Sequence, residues 1–150
     1  MNGISETEFA PEKEVTRGMF VTILYRMASE PDVEEFAEFT DVSIDKYYAK
    51  AVAWASVNGI VNGITDELFV PDANITREQM AVMLYRYKKA EKSENKLNYT
   101  DENSISEYAI DAINWANASG IMTGNEDGSF APLRNSTRAE AAAVFVRLLG

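Results

Sequence analysis

Three stretches of the chain share one order of polar and apolar positions. Thr137-Arg138-Ala139-Glu140 leads into Ala141, Val144, Phe145 and Leu148, whose spacing predicts a helix with one face built for burial. Thr137 stands where an N-cap belongs, and Glu140 lies three residues on, the spacing of a capping box. Thr76-Arg77-Glu78-Gln79 introduces Met80, Met83, Leu84 and Tyr87 in the same way, with Gln79 still able to serve the box. Thr16-Arg17-Gly18-Met19 introduces Phe20, Ile23, Leu24 and Met27, and Met19 cannot complete a box.

The phrase recurs at a fixed step. Thr16 to Thr76 spans 60 residues and Thr76 to Thr137 spans 61, and Phe9/Phe69/Phe130, Pro11/Pro71/Pro132 and Gly3/Gly63/Gly124 keep the same steps. A second segment precedes two of the three phrases. It runs Phe39-Thr40-Asp41, Tyr47, Ala51, Trp54, Gly59-Ile60, and again Tyr99-Thr100-Asp101, Tyr108, Ala112, Trp115, Gly120-Ile121. Its periodicity predicts a front helix over roughly Lys46–Asn58 and Glu107–Ser119, closed by Gly59 and Gly120 in the left-handed conformation. The chain opens in mid-unit, so two and a half repeats are present: 1–36 as the second half of a first, 37–96 as a second and 97–150 as a third. Within each unit Phe69 and Phe130 are expected to plug the core, and Pro71 and Pro132 to end a short extended piece. Asp127-Gly128 predicts a tight turn, and the polar segments 28–38 and 88–98 predict exposed connectors, partly helical at most.

Composition narrows the chemistry. At 150 residues and 46% hydrophobic content the chain can bury a real core as a single domain. A net charge of −10 repels nucleic acid and anionic membrane surfaces alike, so an anionic ligand must be captured by local groups. The chain holds no cysteine and no histidine, which removes thiol chemistry, disulfides and the commonest general base and metal ligand. No apolar run is long enough to span a membrane, and Met1-Asn2-Gly3 does not begin a signal peptide; an exported protein would carry its signal upstream. No cofactor or metal is called for. Asn125-Glu126-Asp127-Gly128 lacks the alternating oxygen ligands and terminal Glu of a calcium loop.

One charge in each phrase is out of place. Arg26, Arg86 and Arg147 sit near helix C-termini, where a cation suits the macrodipole, but Arg17, Arg77 and Arg138 fall in the first turn, where it does not. Two readings stand level on local physics. Either an anion meets these helix starts, or each arginine pairs with an acidic neighbour. On the first, loss of Arg77 or Arg138 leaves stability nearly unchanged and weakens binding; on the second, the reverse.

The order Phe-x-Asp, aromatic-x-x-x-Ala, Gly-Ile-x-x-Gly, Phe-x-Pro, Thr-Arg-Ala-Glu resembles the S-layer homology (SLH) repeat over essentially the whole chain. The resemblance implies a mainly α fold, tandem helix-loop-helix repeats in a pseudo-threefold bundle, here with a first repeat lacking its front helix. It implies a non-catalytic anchor in the extracellular cell wall or S-layer, whose partner is an acidic secondary cell-wall polysaccharide, often pyruvylated. Carried over, the sugar-contacting arginine lands on Arg138, Arg77 and Arg17. Glu140 and Gln79 stand beside them in the phrase. Trp54 and Trp115 are candidates for stacking on a sugar ring, although their helical spacing favours core packing. Tyr47 and Tyr108 are expected half-buried, with the hydroxyl at a groove edge. Asp41 and Asp101 are read as sugar contacts or, more commonly, as caps of the following helix or turn.

Only the third copy keeps Thr-Arg-Ala-Glu intact. The first, with Gly18-Met19 and no front helix, leaves its groove a wall short unless upstream residues or another chain supply one. Two other classes stand beside the anchor. A glycoside hydrolase needs a carboxylate pair flanking a cleft, and a repetitive chain offers no unique pair. A protein-interaction or assembly module could keep the fold without binding glycan.

Overall fold

A computed structural model describes residues 13–33, 39–65, 67–93 and 98–149. The expectations for Gly3, Phe9 and Pro11 lie outside these residues. The described residues are mainly helical: α1 (Arg17–Met27), α2 (Ala49–Val57), α3 (Arg77–Tyr87), α4 (Ile110–Ala118) and α5 (Arg138–Leu149). Extended pairing among them is confined to isolated bridges. All three Thr-Arg helices begin at the arginine, as their caps predict. Thr16 accepts the Met19 N–H at 3.1 Å without a box. Thr76 and Gln79 form the full box, and Thr137 and Glu140 exchange the equivalent bonds at 3.2 and 3.4 Å.

The front helices are shorter than their periodicity predicts. In the third copy a 3-10 turn over Glu107–Ala109 precedes α4. In the second, the bonds Lys46 N–H to Ser43 and Ala49 N–H to Lys46 are of the same i to i+3 kind. Gly59 and Gly120 close these helices at φ +71° and +72°. The connectors contain no helix among their described residues; Ser29, Glu30 and Lys89 take positive φ directly after α1 and α3.

The chain divides into two compact units that straddle the sequence repeats. One comprises 15–74, and the other 75–149 with Lys13 and Glu14. In each, a Thr-Arg helix packs on the front helix of the following repeat: α1 on α2, α3 on α4. Within the first unit Thr16 bridges Asn74; within the second, Thr76 bridges Asn135 and Thr137 bridges Glu14. Phe20, Leu24, Val52 and Phe69 are fully buried in the first unit, and Leu84, Ile113 and Phe130 in the second.

The Phe-x-Pro pieces are anchored by the aspartates of the front segments. Asp41 accepts the N–H groups of Phe69 and Val70 at 3.0 and 2.7 Å, and Asp101 those of Phe130 and Ala131 at 2.9 and 2.8 Å. The expected capping role is therefore replaced by a long-range one. It works because Val70 and Ala131 adopt φ +60° and +57°, which turns two successive N–H groups toward one carboxylate. Gly63 and Gly124 let an aromatic ring lie on this loop, since a Cβ at either would collide with Phe39 or Tyr99.

Gly18 has a packing reason. A Cβ there would stand 3.0 Å from the Tyr48 ring and 3.1 Å from the Pro71 carbonyl. Its counterpart Glu78 is 1% exposed and accepts the Ser106 N–H at 3.0 Å, while the counterpart of Tyr48 is the buried Ala109. One copy places the bulk on the front helix, the other on the Thr-Arg helix.

Three outcomes test this anatomy. Val70→Gly should leave chemical denaturation unchanged or raise stability by roughly 0.5–1 kcal/mol, the left-handed penalty of a β-branched residue outweighing glycine's entropy. Asp101→Asn, with one acceptor oxygen for two N–H groups, should cost about 1.5–3 kcal/mol. Thr137→Ala should lose about 0.5–2 kcal/mol, and more than Thr16→Ala, because it also frees a glutamate that other side chains use.

Candidate functional site

The best-defined site lies in the second unit, where the first turn of α3 meets the first turns of α5. Arg77 does not reach into solvent. Its Nε donates to the Phe130 carbonyl at 2.8 Å, and its guanidinium lies over the Phe130 ring, 4.8 Å from the centroid. One terminal nitrogen donates to the Thr123 carbonyl at 3.1 Å and the other to Glu140, forming an ion pair. The Arg77 side chain is 8% exposed and that of Glu140 22%. Burial of this kind requires hydrogen bonds for the guanidinium, and two carbonyls and a carboxylate supply them.

Glu140 serves three groups at once. It caps the Thr137 N–H, receives Arg77, and receives the more exposed Arg134 at 2.8 Å. The acidic-neighbour reading of the first-turn arginine therefore applies to Arg77, and the expectation that its loss leaves stability unchanged is corrected. Arg17 follows the same plan in the first unit, with Nε on the Phe69 carbonyl at 3.0 Å and its guanidinium 4.7 Å from that ring. Arg138 is buried at 8% exposure, and its backbone N–H donates to the Lys13 carbonyl at 2.8 Å.

Beside the Arg77–Glu140 pair runs a groove of about 260 Å³, lined also by Met122, Thr123, Ala139, Ala143, Val144 and Arg147, of which Met122 and Val144 are buried. Arg147 donates to the Ile121 carbonyl at 3.3 Å and is otherwise exposed. Three guanidinium groups and one carboxylate thus gather here in a chain of net charge −10. Such a surface suits an anionic group bonded to Arg147, with apolar contact to Met122 and Val144.

Of the predicted residues, Arg77 and Glu140 meet in this groove. Gln79 is occupied by its capping box. Trp54 is half-buried against Tyr25 at 5.6 Å between centroids, and Trp115 against Tyr85 at 5.8 Å, so both pack within their units, and Trp115 is not part of the groove lining. Tyr47 and Tyr108 are not half-buried as expected: they are 63% and 57% exposed, Tyr47 set edge-on to Tyr48. The turn before Phe130 is held by Asp127, which accepts the Ser129 hydroxyl and N–H; these bonds keep its carboxyl below the usual range. Arg134 and Arg147 were not singled out for the site from the sequence. Arg147 sits at the same register as Arg26 and Arg86, but there the helix dipole is a sufficient explanation.

The family model of the S-layer homology domain matches residues 38–81 and 98–142. The chain belongs to the S-layer homology family. Similar proteins span enzymes and surface proteins. The SLH chain is 41% identical over 155 residues to an endoglucanase of Bacillus sp. strain KSM-635 and 35% over 156 to an amylopullulanase of Thermoanaerobacterium thermosulfurigenes. It is 28% identical over 152 residues to a surface-layer 125 kDa protein of Lysinibacillus sphaericus. In each case 99% of this chain is covered, but only 16%, 8% and 13% of the relative. Among the described residues no helix is long and apolar enough to cross a membrane, and no carboxylate cluster suited to a metal is present.

The buried pair makes a direct stability forecast. Arg77→Ala should lower the unfolding free energy by about 3–5 kcal/mol, since it leaves Glu140 and two carbonyls short of a partner. Arg77→Lys should recover only part, because an ammonium cannot span the same acceptors. A double-mutant cycle for Arg134 and Glu140 should give no more than about 1 kcal/mol at this exposed pair. Denaturant melts of the single and double variants check both.

Proposed function

We infer that this SLH chain is a non-catalytic anchoring module of the bacterial cell surface. It holds an acidic secondary cell-wall polysaccharide, bearing a pyruvate ketal, at the arginines gathered by the start of a Thr-Arg helix, with Arg147 as the direct contact and Arg77 fixed behind it. The observation that carries the reading is the groove beside Arg77, where Arg147 offers donors next to the apolar Met122 and Val144. The pyruvate carboxylate supplies the anion, and the sugar ring supplies C–H surface for Val144 and Met122. The buried Arg77 acts as the fixed end of the site, oriented by Phe130, Thr123 and Glu140, so little side-chain entropy is lost on binding. Arg17 and Arg138 are the corresponding residues of the other two phrases. The pseudo-threefold arrangement of the repeats belongs to the same proposal, as does localisation in the cell wall.

Catalysis is not what the relatives share. A segment common to an endoglucanase, an amylopullulanase and a surface-layer protein, and amounting to 16% or less of each, carries a property independent of their individual chemistries. Attachment is such a property. The assembly-module alternative draws on one observation, that Arg77 is already satisfied by Glu140.

Sedimentation with purified wall sacculi separates the two. The anchor should co-sediment with sacculi carrying the pyruvylated polymer and stay in solution once the ketal is removed by mild acid. Arg147→Ala should weaken binding roughly tenfold, the loss of one charge-assisted contact, with the melting temperature little changed. Arg17→Ala should matter least. Equal binding to both preparations, or full binding by Arg147→Ala, rejects this reading of the groove.

A further inference from the structure

A glycine lets its backbone nitrogen approach the side chain of the residue before it, because no Cβ stands in the way. After asparagine this makes a thermolabile pair: the nitrogen attacks the side-chain amide carbon, and the two residues close into a cyclic imide. Two such pairs fall among the described residues, Asn58-Gly59 and Asn62-Gly63, and they differ in what holds them. At the first, the Asn58 amide donates to the Trp54 carbonyl at 2.8 Å, and the Gly59 N–H donates to the Ser56 carbonyl at 3.2 Å. Both reacting groups are thus tied into the end of α2. At the second, Asn62 is exposed in an irregular stretch, and among the described residues neither its amide nor the Gly63 N–H makes a hydrogen bond. The related acid pair, Asp127-Gly128, is tied like the first. Asp127 accepts from Ser129, and the Gly128 N–H donates to the Asn125 carbonyl at 3.0 Å.

We propose that Asn62-Gly63 is a self-modification site, at which the chain deamidates without an enzyme and the product weakens the first unit. The reactants are the chain and water alone. The Gly63 nitrogen, after losing its proton to hydroxide, bonds to the Asn62 side-chain carbon. The amide C–N bond breaks, and ammonia leaves to solvent, which the exposure of Asn62 allows. Water then opens the imide at either carbonyl and leaves an aspartate or an isoaspartate. Opening at the main-chain carbonyl routes the backbone through the side-chain methylene and so lengthens it just ahead of Gly63. Added length does harm there. The bare Cα of Gly63 seats the Phe39 ring, with which a Cβ would collide. The Ile64 and Thr65 N–H groups that follow both bond the Leu68 carbonyl, at 2.8 and 3.3 Å. Phe39 in turn packs on Phe69, 5.6 Å between centroids, whose carbonyl receives Arg17. The second unit repeats this arrangement with Tyr99 at Gly124, but it has Thr123 where the first has Asn62 and so lacks the leaving group. Nothing in this chemistry depends on glycan binding.

Incubation of the chain in mildly alkaline buffer, followed by tandem mass spectrometry that assigns each site, reads the chemistry. Asn62 should convert roughly tenfold or more faster than Asn58, the factor expected when two hydrogen bonds must first open. The acidic fraction of the aged chain, separated by ion exchange, should melt roughly 3 °C or more below fresh protein. Asn62→Thr, which copies the sister position and keeps the other asparagines, should hold its melt through the same incubation. Freshly made Asn62→Asp should melt with the fresh parent, because it adds the charge without lengthening the backbone. Equal conversion at Asn58 and Asn62, or an aged acidic fraction that melts with fresh protein, overturns the proposal. So does an aged Asn62→Thr that loses as much as the parent, or a fresh Asn62→Asp that melts as low as the aged fraction.

Discussion

A guanidinium held over the ring of a buried phenylalanine is the contact on which each unit depends. Arg17 over Phe69 and Arg77 over Phe130 place a permanent charge where a charge is otherwise costly. The cost is met only if every N–H finds an acceptor, and the acceptor nearest to hand is the carbonyl of the phenylalanine itself. That carbonyl points at the arginine because the following residue turns into the left-handed region. The aspartate of the front segment holds that turn by accepting two successive N–H groups. Removing one member leaves the others with unmatched polar groups, so the aspartate, the Phe-x-Pro piece and the Thr-Arg helix behave as one element.

This linkage explains why the compact units do not coincide with the sequence repeats. The Asp–Phe tie joins the front segment to the loop that follows it, whereas the arginine belongs to the preceding phrase. Packing therefore couples the second half of one repeat to the first half of the next. The Gly18/Tyr48 and Glu78/Ala109 pairs show the same coupling in side-chain volume: one fixed space is filled from either side. A glycine that looks like decay within one repeat is complementarity with its neighbour.

The same geometry shapes the candidate site. Glu140 is shared among a cap, a buried arginine and an exposed one, so the guanidinium groups open to solvent here are those of Arg147 and Arg134. Arg77 contributes mainly rigidity and field. On the function proposed above, a rigid cation behind a small groove would give a carboxylate-bearing sugar a preformed partner without long-range attraction, as a chain of net charge −10 needs.

Helix starts, repeat period, plugging phenylalanines and the mainly helical class were legible in the sequence because each rests on near-neighbour chemistry. A threonine cap acts within three residues, an apolar face repeats every turn, and a fixed step recurs whatever the fold does with it. The partners of Asp41, Asp101 and Arg77 were not legible, since they lie 28 to 63 residues away and many acidic and carbonyl groups compete for them. The exposure of Tyr47 and Tyr108 was missed for a related reason: turns with i to i+3 bonds precede both front helices, a 3-10 turn at Tyr108, and they rotate side chains away from the face that 3.6-residue periodicity assigns. Sequence thus determined which elements form and where they begin. Only tertiary structure decided which charges neutralise one another, because burial and pairing depend on distances that chain separation does not encode.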